Sequence, residues 1–234
     1  MSLRGNIYML VFGKIMLGML AIVAIGCGVA SSGKTTDLRD IAPVETETAA
    51  QKGMQTAVFA GGCFWGVEAV FEHVKGVVDV KSGYAGGDAG SANYDKVSAG
   101  ETDHAEVVEV VYDPTKVTYT QLLTIFFSVA HDPTQLNRQG PDVGRHYRSA
   151  IFYADEEQKK TAAAYIEAID RSKALPKPVV TEVVPLVKFF AAEGYHQDYM
   201  KKNPTQPYIV AHDRPKLEDL KKRFPEFYVQ KYFR

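Results

Sequence analysis

Among the side chains of this 234-residue sequence that could act as nucleophiles, Cys63 has the most suggestive surroundings, in Gly61-Gly62-Cys63-Phe64-Trp65-Gly66. The thiolate is the reactive form of cysteine, whose ordinary pKa is about 8.5. Before it, Thr56-Ala57-Val58-Phe59-Ala60 reads as a short buried strand closed by two glycines; after it, Val67, Val70, Phe71 and Val74 recur at helical spacing. Cys63 is therefore expected at or just before a helix N-terminus, where unpaired N–H groups and the helix dipole can favour the thiolate. The glycines let backbone and substrate approach the sulfur. The competing reading is a buried packing cysteine, since free cysteine is among the most buried residue types. Phe64 and Trp65, the latter the only tryptophan, can form an aromatic wall for a small apolar group or simply pack the core.

The second chemical group is Glu106, in the Val-rich, partly alternating run His104 to Tyr112, which reads as a strand stopped by Asp113-Pro114. Facing inward, its carboxyl would be desolvated and its neutral form favoured; facing outward, it would be an ordinary surface acid. His104, His131 and His196 invite a metal reading, and Glu193 with His196 has Glu-x-x-His spacing. The second copy and further carboxylates of such a site are missing, so no metal is expected and the histidines should hydrogen-bond within the fold.

Around these residues, Val77 to Tyr84 reads as a strand and Gly83 to Gly90 as a glycine-rich loop. Thr118 and Gln121 have capping-box spacing before a helix over Leu122 to Ala130. Tyr147 to Tyr153 reads as a strand, Asp155 as the cap of a helix to about Ala174, and Val179 to Leu186 as an edge strand or strand end because of Pro185. Short helices and loops follow, including Lys216 to Phe224. Strands and helices mix without strict alternation, which gives an α+β domain.

A formal net charge of -1 argues against nucleic acid as a partner. The chain has only two cysteines, Cys27 and Cys63, in unlike neighbourhoods, which is neither a disulfide framework nor a zinc site. Arg4 and Lys14 precede an uncharged apolar run from Met16 to Cys27, the pattern of a secretory signal. Its end, Ala24-Ile25-Gly26-Cys27, resembles a bacterial lipobox, although Leu is usual where Ala24 stands. The expected organisation is a signal peptide and lipobox over 1–27 with Cys27 as the lipid attachment site, a flexible tether over 28–54, and the folded domain over 55–234. An uncleaved anchor or an ordinary signal peptide are the alternatives. The expected location is the bacterial cell envelope, facing the periplasm and membrane-anchored as a lipoprotein, with the protein a monomer.

Residue chemistry alone leaves open a thiol enzyme, such as a peroxidase or hydrolase, and a binding module whose aromatic pocket holds a small apolar group. A hydrolase would need a His base beside Cys63.

The segment Gly61-Gly62-Cys63-Phe64-Trp65-Gly66-Val67-Glu68 resembles the signature of the peptide methionine sulfoxide reductase A family. Gly83-Tyr84-Ala85-Gly86-Gly87, Asn93-Tyr94, His104-Ala105-Glu106-Val107, Val111-Tyr112-Asp113-Pro114, His131-Asp132-Pro133, Arg138-Gln139-Gly140 with Asp142-Val143-Gly144, Tyr147-Arg148-Ser149-Ala150-Ile151 and Glu193-Gly194-Tyr195-His196-Gln197-Asp198-Tyr199 continue it in order. The resemblance implies a two-layer mixed sheet with flanking helices around a ferredoxin-like core. It implies reduction of the S epimer of methionine sulfoxide, in oxidised proteins or free, without a bound cofactor. It places nucleophilic attack on Cys63, proton donation on Glu106, hydrogen bonding to the sulfoxide oxygen on Tyr94 and Tyr147, substrate positioning on Asp142, and the methyl pocket on Phe64 and Trp65.

Many relatives carry resolving cysteines near the C-terminus, and this chain has none after Cys63. Cys63 would end each turnover as a sulfenic acid. If Cys27 is lipidated, recycling falls to an external reductant: a thioredoxin-like domain, glutaredoxin or a small thiol. The competing idea is that Cys27 itself resolves Cys63, which a flexible tether spanning roughly 30–35 Å would permit.

Overall fold

In the computed structural model, which describes residues 37–41 and 53–232, the apolar runs pair into one six-stranded sheet. In chain order the elements are β1 (Gln55–Gly61), α1 (Phe64–Glu72), β2 (Val77–Ala85), α2 (Tyr94–Ser98), β3 (Ala105–Tyr112), α3 (Tyr119–Ile125), the two-residue strands β4 (Arg138–Gln139) and β5 (Asp142–Val143), β6 (Ser149–Tyr153), α4 (Glu156–Ser172), β7 (Glu182–Pro185), β8 (Phe189–Ala191), α5 (Tyr199–Lys202) and α6 (Arg214–Arg223). The spatial order is β7-β6-β1-β3-β2-β8, antiparallel throughout except for β6 with β7. Strands β1, β2, β3 and β6 with their helical crossovers form a βαββαβ unit, the ferredoxin-like arrangement, extended at both edges. The α+β architecture follows the residue pattern.

Local chemistry fixes several boundaries. At the start of α3, Thr118 Oγ1 accepts the Gln121 N–H at 3.2 Å, and Gln121 Oε1 accepts the Thr118 N–H at 2.9 Å. The Asp155 side chain accepts the Gln158 N–H at 2.8 Å and starts α4.

Other boundaries move for tertiary reasons. The helix expected to run to Ala130 leaves the α form after Ile125 and widens into a π turn over Phe126–Ala130, with the Phe126 carbonyl bonded to His131 Nδ1 at 3.0 Å. Strand β2 continues through Gly83 to Ala85, into the expected glycine loop, because β8 pairs there. Tyr147 lies in a 3-10 turn over Arg145–Tyr147, just before its expected strand. At the other edge β7 keeps only Glu182–Pro185, while the Val180 N–H turns aside to the Pro133 carbonyl at 2.9 Å.

Residues 37–41, inside the segment expected to be a flexible tether, are packed on the domain. Leu38–Asp40 form a 3-10 turn, Leu38 and Ile41 are buried, and Asp37 pairs with Arg223 at 3.1 Å. Two apolar residues in a polar stretch give no periodic signal, so this docking is invisible to pattern reading. Cys27, with the whole 1–27 segment and residues 42–52, lies outside the described residues. Among the described residues no helix is long and apolar enough to cross a membrane.

Candidate active site

Strand β1 ends at Gly61 and α1 begins at Phe64, so Gly62 and Cys63 make the turn between them. Gly62 has φ of +91°, and a Cβ there would collide with the Gln139 side chain. Only glycine meets both demands. Gln139 is held by Asp132, donating to its carbonyl at 2.7 Å and accepting its N–H at 3.0 Å. The ring stack of Phe59 with Phe71 (5.2 Å) and Phe126 (4.9 Å) clamps β1 to the helices, so the turn that presents Cys63 rests on the core.

Cys63 occupies the N-cap of α1 and is 7% exposed. The Trp65 N–H and the Lys216 ammonium favour its thiolate, but burial, then the charges of Glu106 and Asp213, push the thiol well above its ordinary range. The expected thiolate preference of the helix end is therefore overturned: in the substrate-free protein desolvation wins and Cys63 is a thiol.

Glu106 points inward from β3, 2% exposed, and its Oε2 accepts the Phe64 N–H at 3.0 Å. Burial raises its pKa to about 8; the Phe64 N–H opposes this, and Asp142 and Asp213 add to it. The carboxyl is thus predominantly protonated at neutral pH, and it is bonded to the N–H of the residue that follows the thiol.

Tyr94 and Tyr147 complete the polar side. Burial first, then Glu106 and Cys63, raise both hydroxyls, Tyr94 to about 12, so both remain proton donors. Tyr94 begins α2, and its N–H donates to Glu193 Oε1 at 2.9 Å. Glu193 Oε2 accepts from the Tyr84 hydroxyl, also at 2.9 Å. Asp142 on β5 accepts a short hydrogen bond from the Tyr208 hydroxyl.

The apolar side is aromatic. Phe64 is buried against Tyr84 and His196, with ring centroids 5.9 and 5.0 Å away. Trp65 lies flat on Tyr199 at 3.7 Å and edge-on to Tyr208 at 6.0 Å. Its indole N–H donates to His196 Nδ1 at 3.1 Å, which puts the imidazole proton on Nε2.

All seven residues singled out from Cys63 to Tyr147 meet in this region, and Cys27 is the one outside the described residues. Four neighbours went unassigned by sequence reading: Tyr208, Asp213, Lys216 and the bracing Glu193. Asp213 precedes Arg214-Pro215, a pattern that suggests a helix cap, yet its side chain turns inward, fully buried. It pairs with Lys216 at 3.4 Å, over Gly66, where a Cβ would overlap its carboxylate. Tyr208 had no local signal beyond being aromatic.

Unlike His196, the other two histidines singled out in the sequence are engaged elsewhere. His131 bonds Phe126 and, through Nε2, Ser149 Oγ at 2.7 Å, and burial lowers its pKa to about 4. His104 contacts the Gly87 N–H and the Asp88 carbonyl. Among the described residues none of His104, His131 and His196 is hydrogen-bonded to Cys63 in the manner of a hydrolase base. Among the described residues no three His, Cys, Asp or Glu side chains converge as a metal site.

The family model for peptide methionine sulfoxide reductase matches residues 55–227. Peptide methionine sulfoxide reductase MsrA 2 of Synechocystis sp. is 54% identical over 187 residues, covering 80% of this chain and 86% of that protein. The MsrA 2 of Mesorhizobium japonicum is 54% identical over 182 residues, covering 78% and 93%. Among solved structures, reduced Mxr1 from Saccharomyces cerevisiae superposes with a TM-score of 0.61 at 34% identity, covering 69% of this chain and 92% of its own. Methionine sulfoxide reductase A of Corynebacterium diphtheriae gives 0.58 at 37% identity, covering 67% and 78%. With the turn, the buried acid and the aromatic wall in place, these matches show that the chain belongs to the peptide methionine sulfoxide reductase family, oxidoreductases that reduce methionine sulfoxide with thiols.

Proposed function

We propose that Cys63 attacks the sulfur of the S epimer of methionine sulfoxide, peptide-bound or free, while Glu106 protonates the sulfoxide oxygen. The observation that carries this reading is the buried Glu106 carboxyl anchored to the N–H of Phe64, the residue next to the nucleophile, where burial pushes its pKa up to about 8 and so favours the protonated form. Phe64 and Trp65 receive the substrate methyl group, and Tyr94 and Tyr147 donate hydrogen bonds to the oxygen. Asp142, held by Tyr208, positions the substrate.

The net step is Cys63–SH plus R2S=O giving Cys63–SOH plus R2S. Two electrons leave the Cys63 sulfur for the substrate sulfur, and the oxygen ends on Cys63. Glu106 gives its proton to the oxygen and regains the one that Cys63 releases, so the carboxyl is unchanged over the cycle. Keeping Cys63 a thiol until substrate arrives limits wasteful oxidation of the resting enzyme.

Cys63 is the one cysteine among the described residues, which supports recycling by an external thiol of the thioredoxin or glutaredoxin kind. A reductant thiolate attacks the sulfenic sulfur, water leaves, and a second reductant thiol resolves the mixed disulfide, restoring Cys63–SH. The Met16–Cys27 pattern supports attachment to the bacterial envelope through lipid on Cys27, facing the periplasm.

The deciding assay compares wild type, Cys63→Ser and Cys27→Ser on each sulfoxide epimer with thioredoxin as reductant. Methionine formation from the S epimer alone, lost in Cys63→Ser and kept in Cys27→Ser, is the expected result. Binding without turnover by the wild type would overturn the mechanism. Loss of turnover in Cys27→Ser, with one stoichiometric reduction retained, would make Cys27 the resolving thiol. The mass of the mature N-terminus tests lipidation.

A further inference from the structure

Tyr94 and Trp65 sit on the two sides of the site, and the same four-residue turn holds both. The His196 N–H closes the turn onto the Glu193 carbonyl at 2.9 Å. At one end the Glu193 carboxylate accepts the Tyr94 N–H and the Tyr84 hydroxyl, each at 2.9 Å. At the other end His196 Nδ1 accepts the Trp65 indole N–H at 3.1 Å, while its ring packs 4.4 Å from that of Tyr94. The Tyr94 N–H belongs to the first turn of α2, whose leading N–H groups have no intrahelical acceptor. Glu193 supplies that acceptor from 99 residues away, beside the Asn93 cap on Lys96 N–H and the buried Val97 that also hold this 5-residue helix.

We propose that Glu193 is a positioning residue: its carboxylate clamps the start of α2 so that the Tyr94 hydroxyl is held where the sulfoxide oxygen must sit. This deepens the function proposed above and rests on Tyr94 donating to that oxygen. The clamp suits a permanent anion. Burial tends to raise the Glu193 carboxyl, but the Tyr94 N–H, its own backbone N–H and the Tyr84 hydroxyl together hold it below the usual carboxylate range. Tyr84 is fully buried, so the second bond ties the carboxylate to the core beneath the site. A half-exposed acid with no such ties would lose rotamer freedom for no gain, whereas two bonds to fixed donors leave it one geometry.

A double-mutant cycle in the full-length protein separates positioning from general support. Glu193→Ala is expected to lower kcat about tenfold, the scale of one misplaced donor to developing charge, and to leave KM within about twofold. In a Tyr94→Phe background, the same substitution should change kcat less than about twofold, because the hydroxyl it aims is already gone. Glu193→Gln keeps one acceptor oxygen and should recover part of the loss; it also serves if Glu193→Ala folds poorly. An equal kcat loss from Glu193→Ala in both backgrounds overturns the positioning role. A wild-type kcat in Tyr94→Phe alone would instead overturn the assignment of Tyr94 to the oxygen, a distinguishable failure.

Discussion

Glu106 and Glu193 both bear on Tyr94, and the fold gives the two carboxyls opposite protonation. Glu106 lies inside the sheet on β3 with one backbone N–H for a partner, and burial holds its proton up to about 8. Glu193 lies in a half-buried turn after β8 with an N–H and a hydroxyl donated to it, and those bonds keep it charged. One is suited to give a proton and the other to accept hydrogen bonds permanently. Glu68 on α1 completes the lesson. It is 2% exposed, and burial and then the Glu72 charge raise it to about 8, with the backbone N–H groups of Asp198 and Tyr199 opposing the shift. Burial raises the two acids alike, yet Glu106 bonds the Phe64 N–H and its charge acts on Cys63, whereas the charges that act on Glu68 are those of Glu72 and Asp198. A raised pKa reports burial; placement beside the nucleophile is what makes an acid useful.

The largest effect should come from removing the carboxyl proposed as the proton donor. Glu106→Gln is expected to lower kcat by about 10²- to 10⁴-fold with methionine sulfoxide, the usual contribution of a general acid. Glu68→Gln should leave kcat within about threefold, since its carboxyl does not reach the reacting atoms. Comparable losses in the two variants, measured by steady-state kinetics, would erase the distinction drawn above.

Stability against pH comes next. Each of these acids has a folded pKa of about 8 against an ordinary value of 4.5, so between those limits the folded state binds the extra proton. Stability is therefore fully present below pH 4.5 and declines as pH rises towards 8, on the order of 4 kcal/mol per group. Urea midpoints from pH 5 to 8 should show the decline in the wild type. Replacing either acid with glutamine should flatten it. A decline untouched in Glu106→Gln would mean that its carboxyl is ionised in the fold.

Tyr84→Phe removes one of the two donors to Glu193 and spares the other. A loss of about 1 kcal/mol in stability and a two- to threefold lower kcat are expected. A larger fall in kcat than in Glu193→Ala would move the anchoring role from the carboxylate to Tyr84 itself.

The smallest effect on rate belongs to the docked turn. Leu38→Ala should reduce stability by about 1–2 kcal/mol, less than for a central core leucine, with kcat unchanged. A lower kcat would show that residues 37–41 support the site as well as the fold.

Much of this was legible in the residues. The strand–Gly-Gly–Cys–helix turn, the Thr118–Gln121 box and the Asp155 cap depend on neighbours within a few positions, and they appear where the spacing puts them. The inward orientation of Glu106 stayed open because a valine-rich strand buried on both faces does not reveal where one acid points. Asp213 went unassigned because nothing in its neighbours shows that its side chain turns inward, and Leu38 because it stands in a polar stretch.

The sequence by itself determined the nucleophile, its turn, and the set of groups that could serve it, because short-range hydrogen bonding and periodicity are written into adjacent residues. Only the tertiary structure decided their chemical states. Cys63 is a thiol rather than a thiolate, Glu106 keeps its proton, and Glu193 stays charged, because desolvation and hydrogen bonding act on them through the fold. The bonds involved join residues 42, 99 and 109 positions apart, beyond the reach of any local pattern.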